Sequence, residues 1–345
     1  MIPRFPSTRY QGSKRRHLDW LHSIFSSLTF ESALDAFGGT GAVSHLLSSM
    51  GKAVHYNDLL PANAMIARAL FAPTPVTLTE PALEALFVKK DEGEYPDHIS
   101  RCFDGIYFTD EENRQLDTLA VSIHRMNDAQ QQADAWFCLF QACLSKRPYN
   151  LFHRANLSMR TANVERSFGN KKTWDRPLFE HMHKFLKELA RFRLQPPGGT
   201  VQVTSGDGFE LTADTELAYI DTPYARAENR QETNYFNFYH FLDCLLDYDG
   251  FSDKLHMAYA HRPYYSPSKP WHPCDCLEDA FSALFQRFPS ARLAVSYRTD
   301  GAPSVEQLEA LLKATGRSVQ VFLQDARAYT LSTRRASREV LLLGN

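Results

Sequence analysis

LDAFGGTGAVSHLL, residues 34–47, indicates the fold of this 345-residue chain. An apolar run ends at Asp35, three glycines follow at Gly38, Gly39 and Gly41, and a helical apolar pattern comes next. Glycine permits a tight turn and close approach of the backbone to a ligand, and the first turn of a helix presents free N–H groups. The stretch therefore predicts a strand, a glycine loop and a helix that together bind a ligand.

A second acidic residue limits the kind of ligand. Asp58 ends the apolar run at 53–58, 17 residues after Gly41, where nucleotide-binding α/β folds place an acid that accepts ribose hydroxyls. The loop is not a Walker loop, because no Lys-Ser or Lys-Thr pair follows Gly41, and Ser44 breaks the dinucleotide pattern. An adenosine-containing ligand without a pyrophosphate remains, and S-adenosylmethionine is the obvious candidate.

Further apolar runs predict the rest of a sheet. Near-continuous apolar strands that alternate with helices are typical of a parallel sheet covered on both faces. The runs that predict strands lie at 33–37, 53–58, 200–207, 216–221, 292–298, 318–325 and 339–345. The connection between the last two is too short and polar for a helical crossover, so we expect that pair to be antiparallel.

Between the second and third strands the pattern becomes helical and polar. We therefore expect an α/β fold with a doubly wound, mostly parallel, seven-stranded sheet of the Rossmann-like type. One domain is expected to consist of residues 1–60 and 200–345, and residues 61–199 are expected to form an inserted helical domain.

Composition narrows the class of protein. With 43% hydrophobic residues, 23% charged residues and a net charge of −2, the chain has the composition of a soluble globular protein. No apolar run reaches the roughly 18 residues of a membrane span, and no secretory signal is visible, so we expect a cytoplasmic protein without a membrane partner. The grouping of His272, Cys274 and Cys276 lacks a second ligand pair, so no metal is expected.

Four short elements, in order along the chain, resemble those of the Dam-like class of adenine-N6 DNA methyltransferases. RYQGSK at 9–14 is similar to the family's Y-x-G-x-K, and DAFGGTG at 35–41 to its D-x-F-x-G-x-G loop. GDGF at 206–209 is similar to its G-D-F element, and DTPY at 221–224 to its catalytic Asp-Pro-Pro-Tyr. The resemblance implies a Rossmann-like methyltransferase fold with S-adenosylmethionine as the cofactor. The four elements and the acid at the end of the second strand give the expected cofactor-binding residues: Tyr10, Gly12, Lys14, Asp35, Phe37, Gly39, Gly41, Asp58, Asp207, Gly208 and Phe209.

The DTPY stretch predicts the chemistry. Adenine N6 is a poor nucleophile because its lone pair is delocalised into the ring, so an enzyme must localise that pair. The Asp221 carboxylate and the Thr222 carbonyl can accept the two N6 protons, and Tyr224 offers a stacking face to a base that has left the duplex. Pro223 holds these groups rigidly. Thr222 departs from the family's Pro, but a main-chain carbonyl is present with either residue.

A basic segment at 146–179 is expected to bind double-stranded DNA. It contains eight Lys or Arg residues against two acids, interleaved with aromatic and amide side chains, which suits phosphate contact and base reading. The resemblance places the family's target-recognition segment in the same region. The expected DNA-binding residues are Lys146, Arg147, Asn150, Arg154, Asn156, Arg160, Lys171 and Lys172.

Other functions stay open at this point. Cytosine-N4 methylation uses the same hydrogen-bonding logic, and an RNA adenine or a protein amide is an alternative acceptor. A DNA-binding module that keeps the fold without turnover is the non-enzymatic alternative, and a cognate restriction endonuclease is a candidate partner. Asn234, Tyr235 and Phe238 resemble the family's stretch beside the flipped base, yet their spacing is also that of helix packing. His261, Tyr264 and Tyr297 are interpreted as loop or core residues.

Overall fold

The computed structural model describes residues 5–6, 10–89, 95–162, 171–195, 198–226, 234–264, 277–324 and 337–345. Its main sheet has seven strands in the spatial order β3-β2-β1-β4-β6-β9-β8. The strands are β1 (Ser32–Asp35), β2 (Ala53–Asp58), β3 (Val201–Ser205), β4 (Leu217–Ile220), β6 (Arg292–Arg298), β8 (Val319–Leu323) and β9 (Glu339–Gly344). A separate antiparallel pair joins β5 (Ala225–Arg226) to β7 (Gly301–Ala302), which the sequence analysis did not anticipate.

The sheet is parallel except at β9. Strands β3, β2, β1, β4 and β6 pair in parallel, whereas β9 runs antiparallel to both β6 and β8. The predicted mostly parallel, seven-stranded α/β sheet is confirmed, and so is the antiparallel final pair. Strand β4 is buried at every position, as expected of a central strand covered on both faces. Because the chain proceeds outward from β1 in one direction and from β4 in the other, their carboxyl ends form a topological switch point.

The helices cover this sheet and fill the chain between β2 and β3. They are α1 (Leu18–Phe25), α2 (Ala42–Ser49), α3 (Pro61–Leu70), α4 (Glu80–Ala85), α5 (His98–Cys102), α6 (Asp110–His124), α7 (Ala129–Lys146), α8 (Leu157–Thr161), α9 (Lys171–Asp175), α10 (Leu178–Arg193), α11 (Tyr235–Leu246), α12 (Leu277–Gln286) and α13 (Val305–Ala314). None of the described helices combines the length and the apolar character that crossing a bilayer requires.

Helices α3 to α7 and α10 share a hydrophobic core with the sheet. Helix α7 packs against both α3 and α10, and α3 also packs against β2 and β3. One continuous cluster of buried residues includes Tyr56 of β2, Tyr219 of β4 and Trp136 of α7. The described part of 61–199 is helical, as the periodicity predicts, but it is packed onto the sheet. That residues 61–199 form a separate domain stays a prediction.

Candidate active site

A pocket of about 850 Å³ opens at the carboxyl edge of the sheet. Its walls come from the segment before α1, the loop between β1 and α2, the ends of β2 and β4, and the start of α11. Nine predicted cofactor-binding residues line it: Tyr10, Gly12, Lys14, Asp35, Phe37, Gly39, Asp58, Asp207 and Gly208. All four residues of the DTPY stretch line it too, so the strand ends bring the predicted cofactor and catalytic elements together.

The loop between β1 and α2 depends on glycine. Gly39 and Gly41 have φ values of 50° and 77°, in the left-handed region, and Gly41 caps α2. A Cβ on Gly38 would lie 2.1 Å from the Tyr56 ring, whose hydroxyl donates to Gly39 O at 2.8 Å. Tyr56 thereby holds the loop close to the end of β2.

Two buried carboxylates fix this loop. Asp35 Oδ2 accepts hydrogen bonds from Ser44 N at 3.1 Å and from Ser44 Oγ at 2.7 Å, and burial raises the Asp35 pKa to about 7. Asp58 Oδ2 accepts from Gly39 N at 2.7 Å, while Oδ1 accepts from Leu60 N at 2.8 Å and from Asn63 Nδ2 at 3.1 Å. Burial also raises the pKa of Asp58. Because a carboxylate has about four acceptor sites, Asp58 can shape the loop and still accept from a ligand hydroxyl.

The segment before α1 is held by tyrosines of α11. The ring of Tyr10 stacks on Tyr239, with centroids 4.4 Å apart, and on Tyr235 at 5.5 Å. The Tyr239 hydroxyl accepts from Gln11 N at 2.8 Å. Gly12 has a φ of 82°, and a Cβ there would lie 2.6 Å from the Tyr235 hydroxyl. These contacts deliver Lys14 into the pocket.

Lys14 is the buried cation at the end of β4. Its Nζ lies 2.8 Å from Asp221 Oδ1, 2.5 Å from the Tyr224 hydroxyl and 3.1 Å from Glu339 Oε1, and the side chain is 7% exposed. Burial lowers the Lys14 pKa, but the Asp221 and Glu339 carboxylates outweigh it and hold the pKa above its usual range. Lys14 is therefore an ammonium that bridges two carboxylates.

Two predicted cofactor-binding residues, Gly41 and Phe209, lie outside the pocket lining, and their assignment as cofactor contacts stays a prediction. Gly41 faces the Phe71 ring, which a Cβ would approach to 2.8 Å. Phe209 packs against the same apolar cluster as the pocket-lining residues Phe37 and Tyr224. Both act on the structure around the pocket: Gly41 starts α2, and Phe209 N donates to Asp207 Oδ1 at 2.9 Å.

Three of the predicted DNA-binding cations are buried and paired within the chain, so their charges do not face phosphate. Lys146 Nζ and Arg160 Nη2 lie 2.8 Å and 2.7 Å from Glu112 Oε1. Arg147 is 1% exposed and donates to the carbonyls of Tyr107 and Leu151 at 3.1 and 3.2 Å.

Asn156 is also buried and accepts a hydrogen bond from Arg147. The expectation that Lys146, Arg147, Asn156 and Arg160 contact DNA is thus corrected. Their polar groups fix the connection between α7 and α8 because unpaired polar groups are costly in the interior.

The other four predicted DNA-binding residues reach the surface. Arg154, Lys171 and Lys172 are exposed, and Asn150 is half-buried. Lys171 forms a surface ion pair with Asp175 at 2.9 Å. Such an exposed pair is weak, so its cation is free to exchange its partner for a phosphate.

The lining includes several residues that the sequence analysis left aside. His261 and Tyr264, interpreted as loop or core residues, line the pocket, as do Asn234 and Tyr235. Tyr297 is a core residue, as predicted, and its ring packs against Tyr224 at 5.3 Å.

Further lining residues were missed altogether, among them His256, Tyr259, Arg298 and Glu339. Of these four, only Glu339 could have been recognised from the sequence as a candidate site residue, because it is an acid at the start of an apolar strand. The candidate metal grouping of His272, Cys274 and Cys276 lies outside the described residues.

Comparison with known proteins is consistent with this geometry. The model of a family described as "D12 class N6 adenine-specific DNA methyltransferase" matches residues 10–264. The chain is also 24% identical over 329 residues to Type II methyltransferase M2.HphI from Haemophilus parahaemolyticus. That alignment covers 92% of this chain and 91% of the relative.

Proposed function

This chain belongs to the D12 class of N6 adenine-specific DNA methyltransferases, and on that premise we propose that its pocket holds S-adenosylmethionine beside an adenine flipped out of duplex DNA. The observation that carries the proposal is the meeting of three strand ends. The glycine loop after β1, Asp58 at the end of β2 and Asp221 after β4 all line one pocket. An adenosine-binding loop and a proton-accepting carboxylate thus face the same space.

The described residues fit an adenosine-containing sulfonium cofactor. Asp58 has acceptor capacity left on Oδ2 for a ribose hydroxyl, and Gly39 exposes main chain to the pocket. Asp207, which the family resemblance implies faces the cofactor adenine, lines the pocket together with Gly208 and Phe37. When bound, S-adenosylmethionine supplies an electrophilic methyl group, and the residues of this chain orient the amine that receives it.

Asp221 is proposed to localise the lone pair of the target amine. Among the described residues, the hydrogen-bond partners of its carboxylate, Lys14 and Tyr224, both meet Oδ1, at 2.8 Å each. Oδ2 is then available to accept one N6 proton, and the Thr222 carbonyl is proposed to accept the other. Cytosine N4 is an exocyclic amine of the same kind, which makes N4 methylation the second candidate.

Tyr224 is proposed to act through its ring and its hydroxyl. The hydroxyl lies 2.8 Å from Asp221 Oδ1, which restrains the carboxylate, and the ring lines the pocket. An extruded base needs a stacking surface in place of its lost neighbours. A flat aromatic beside the proton acceptor would supply it.

The cofactor assignment is tested at Asp58. Asp58→Ala is expected to raise the dissociation constant of S-adenosylmethionine at least tenfold, because losing a charged acceptor costs about 1.5–3 kcal/mol. Isothermal calorimetry measures the affinity, and thermal unfolding checks that the loop survives the loss of the bond to Gly39. Asp214→Ala removes an exposed carboxylate outside the pocket lining and is the matched control. Unchanged affinity in a folded Asp58→Ala protein would rule out the ribose assignment.

The surface cations are tested by salt dependence. Reversing the charge at both Lys171 and Lys172 is expected to weaken binding to duplex DNA, with the logarithmic salt slope reduced by about 0.9 for each lost phosphate contact. Lys187 and Arg191 are two exposed cations on α10, and reversing both is the matched control for total charge. If the slope stays the same in the Lys171/Lys172 variant, or falls equally in the control, these two lysines are not a specific DNA contact.

The overall activity is tested with unmethylated plasmid DNA and S-adenosylmethionine, followed by mass spectrometry of the nucleosides. N6-methyladenine is expected, whereas N4-methylcytosine alone would favour the second candidate. Cofactor binding without a methylated base would favour a non-catalytic DNA-binding module. The Type II name of the relative supports a restriction endonuclease as partner. Resistance of the methylated plasmid to one Type II endonuclease would identify the shared site.

A further inference from the structure

Glu339 is a second buried carboxylate beside Asp221, and the chemistry proposed above does not use it. It is the first residue of β9, opposite Arg298 of β6 in the antiparallel register. Its Oε1 accepts from Ser296 Oγ at 2.7 Å and lies 3.0 Å from the Tyr224 hydroxyl. The side chain is 9% exposed and lines the pocket.

Asp221 and Glu339 share one cation. Lys14 Nζ lies 2.8 Å from Asp221 Oδ1 and 3.1 Å from Glu339 Oε1. An ammonium paired with a single buried carboxylate stabilises the ionised form of that carboxylate strongly, which makes the carboxylate a poor proton acceptor. A second carboxylate competes for the same ammonium and weakens that effect.

We propose that Glu339 is a positioning residue for methyl transfer: by sharing Lys14 with Asp221, it keeps Asp221 basic enough to accept a proton from the target amine. Glu339 itself need not touch the base. The inference rests on the proposed role of Asp221, and it assigns a task to the strand farthest along the chain.

The charges around Asp221 agree with this arrangement. Burial raises the pKa of Asp221, Lys14 lowers it, and Glu339 raises it. The pKa of Glu339 lies below its usual value, because Lys14 and the Ser296 hydroxyl outweigh the effect of burial. Glu339 is therefore the carboxylate that stays charged.

Other titratable groups also face this cluster and are the same in every protein compared below. Tyr219 of β4, Tyr235 of α11 and Asp35 at the end of β1 interact with Asp221 or Lys14. His17 interacts with Glu339. Changing residue 339 alone isolates its contribution.

Glu339→Gln tests the proposal because glutamine keeps an oxygen for Ser296 and Tyr224 but removes the charge. Lys14 would then act on Asp221 alone and lower its pKa. The single-turnover rate of adenine methylation at pH 8 is expected to fall about tenfold, and the acid limb of its pH profile to move about one unit lower, since one pKa unit is a tenfold change in proton affinity. Dissociation constants for DNA and S-adenosylmethionine should stay close to those of the wild type.

Glu31→Gln is the matched control, because Glu31 pairs with Lys52 on the surface and its side chain is 80% exposed. Ser296→Ala frees Glu339 Oε1 from one donor without removing a charge, so Glu339 should compete more strongly for Lys14 and move the acid limb slightly in the opposite direction. Ser296→Ala also tests the proposal if the Glu339→Gln protein does not fold.

The outcomes separate this inference from the proposed function. A slower Glu339→Gln protein whose acid limb does not move would show a structural role only and overturn the inference, as would an unchanged rate. If the wild type methylates no adenine, or Asp221→Asn is as fast as the wild type, the proposed function itself fails.

Discussion

Asp221→Ala is expected to lower the single-turnover rate of adenine methylation by about 10²-fold or more, as for other groups that act mainly in a transition state. The substitution removes the acceptor of an N6 proton from the end of β4. Binding of S-adenosylmethionine and DNA should be largely retained, because the glycine loop, Asp58 and the surface cations are untouched. The fold should also be retained, since Lys14 keeps Glu339 as a partner at 3.1 Å.

Rapid-quench methylation assays with calorimetry for both ligands separate chemistry from binding. Thr222→Pro is the matched control within the same turn, because it restores the commoner family residue and leaves a main-chain carbonyl in place. Among the described residues the buried Thr222 hydroxyl has no hydrogen-bond partner, so its loss should be tolerated. An active Asp221→Ala would refute the chemistry, and an inactive but folded Thr222→Pro would show that the hydroxyl is used directly.

Arg147→Ala is expected to lower the free energy of unfolding by about 3 kcal/mol, the size expected when a buried hydrogen-bond network is broken. The guanidinium is buried, which lowers its pKa to about 9, and it donates to Tyr107 O and Leu151 O as well as to Arg154 O at 3.0 Å. The guanidinium also lies over the aromatic ring of Tyr107, with Arg147 Cζ 4.5 Å from the ring centroid. Truncation would leave carbonyls unpaired and a cavity around them.

Urea unfolding measures this effect, and Arg154→Ala is the control. Arg154 lies in the same connection but its side chain is exposed, so its loss should change stability by less than about 0.5 kcal/mol. In DNA titrations of the folded proteins, the logarithmic salt slope should fall in Arg154→Ala and stay at the wild-type value in Arg147→Ala. The opposite pattern would restore Arg147 as a phosphate contact.

The sheet could be predicted because its strands are nearly continuous apolar runs. Strand β2 was predicted at its observed bounds, and the polar connection before β9 indicated the antiparallel final pair. The pair formed by β5 and β7 could not be predicted, since two residues per strand carry no periodic pattern. Its two strands are also distant in sequence, so tertiary contacts decide whether they pair.

The pocket was predictable to the extent that its residues sit at strand ends in recognisable motifs. Counting charges within the basic segment at 146–179 does not reveal acids from elsewhere in the chain that pair with its cations. Glu112, which neutralises Lys146 and Arg160, belongs to α6 and lies outside the segment whose charges were counted. Glu339 was missed for a similar reason, because its partner Lys14 comes from the other end of the described chain.

Strand β9 lies between β6 and β8, although it is the last of the three along the chain. During synthesis on the ribosome, β8 has no neighbour in the sheet until β9 has emerged and inserted itself beside β6. Non-local strand pairing of this kind requires the intervening chain to be closed into a loop before the strands can gain their contacts. Glu339 reaches Lys14 only at that stage. Until β9 has paired, the candidate site therefore lacks one of the two carboxylates that share Lys14.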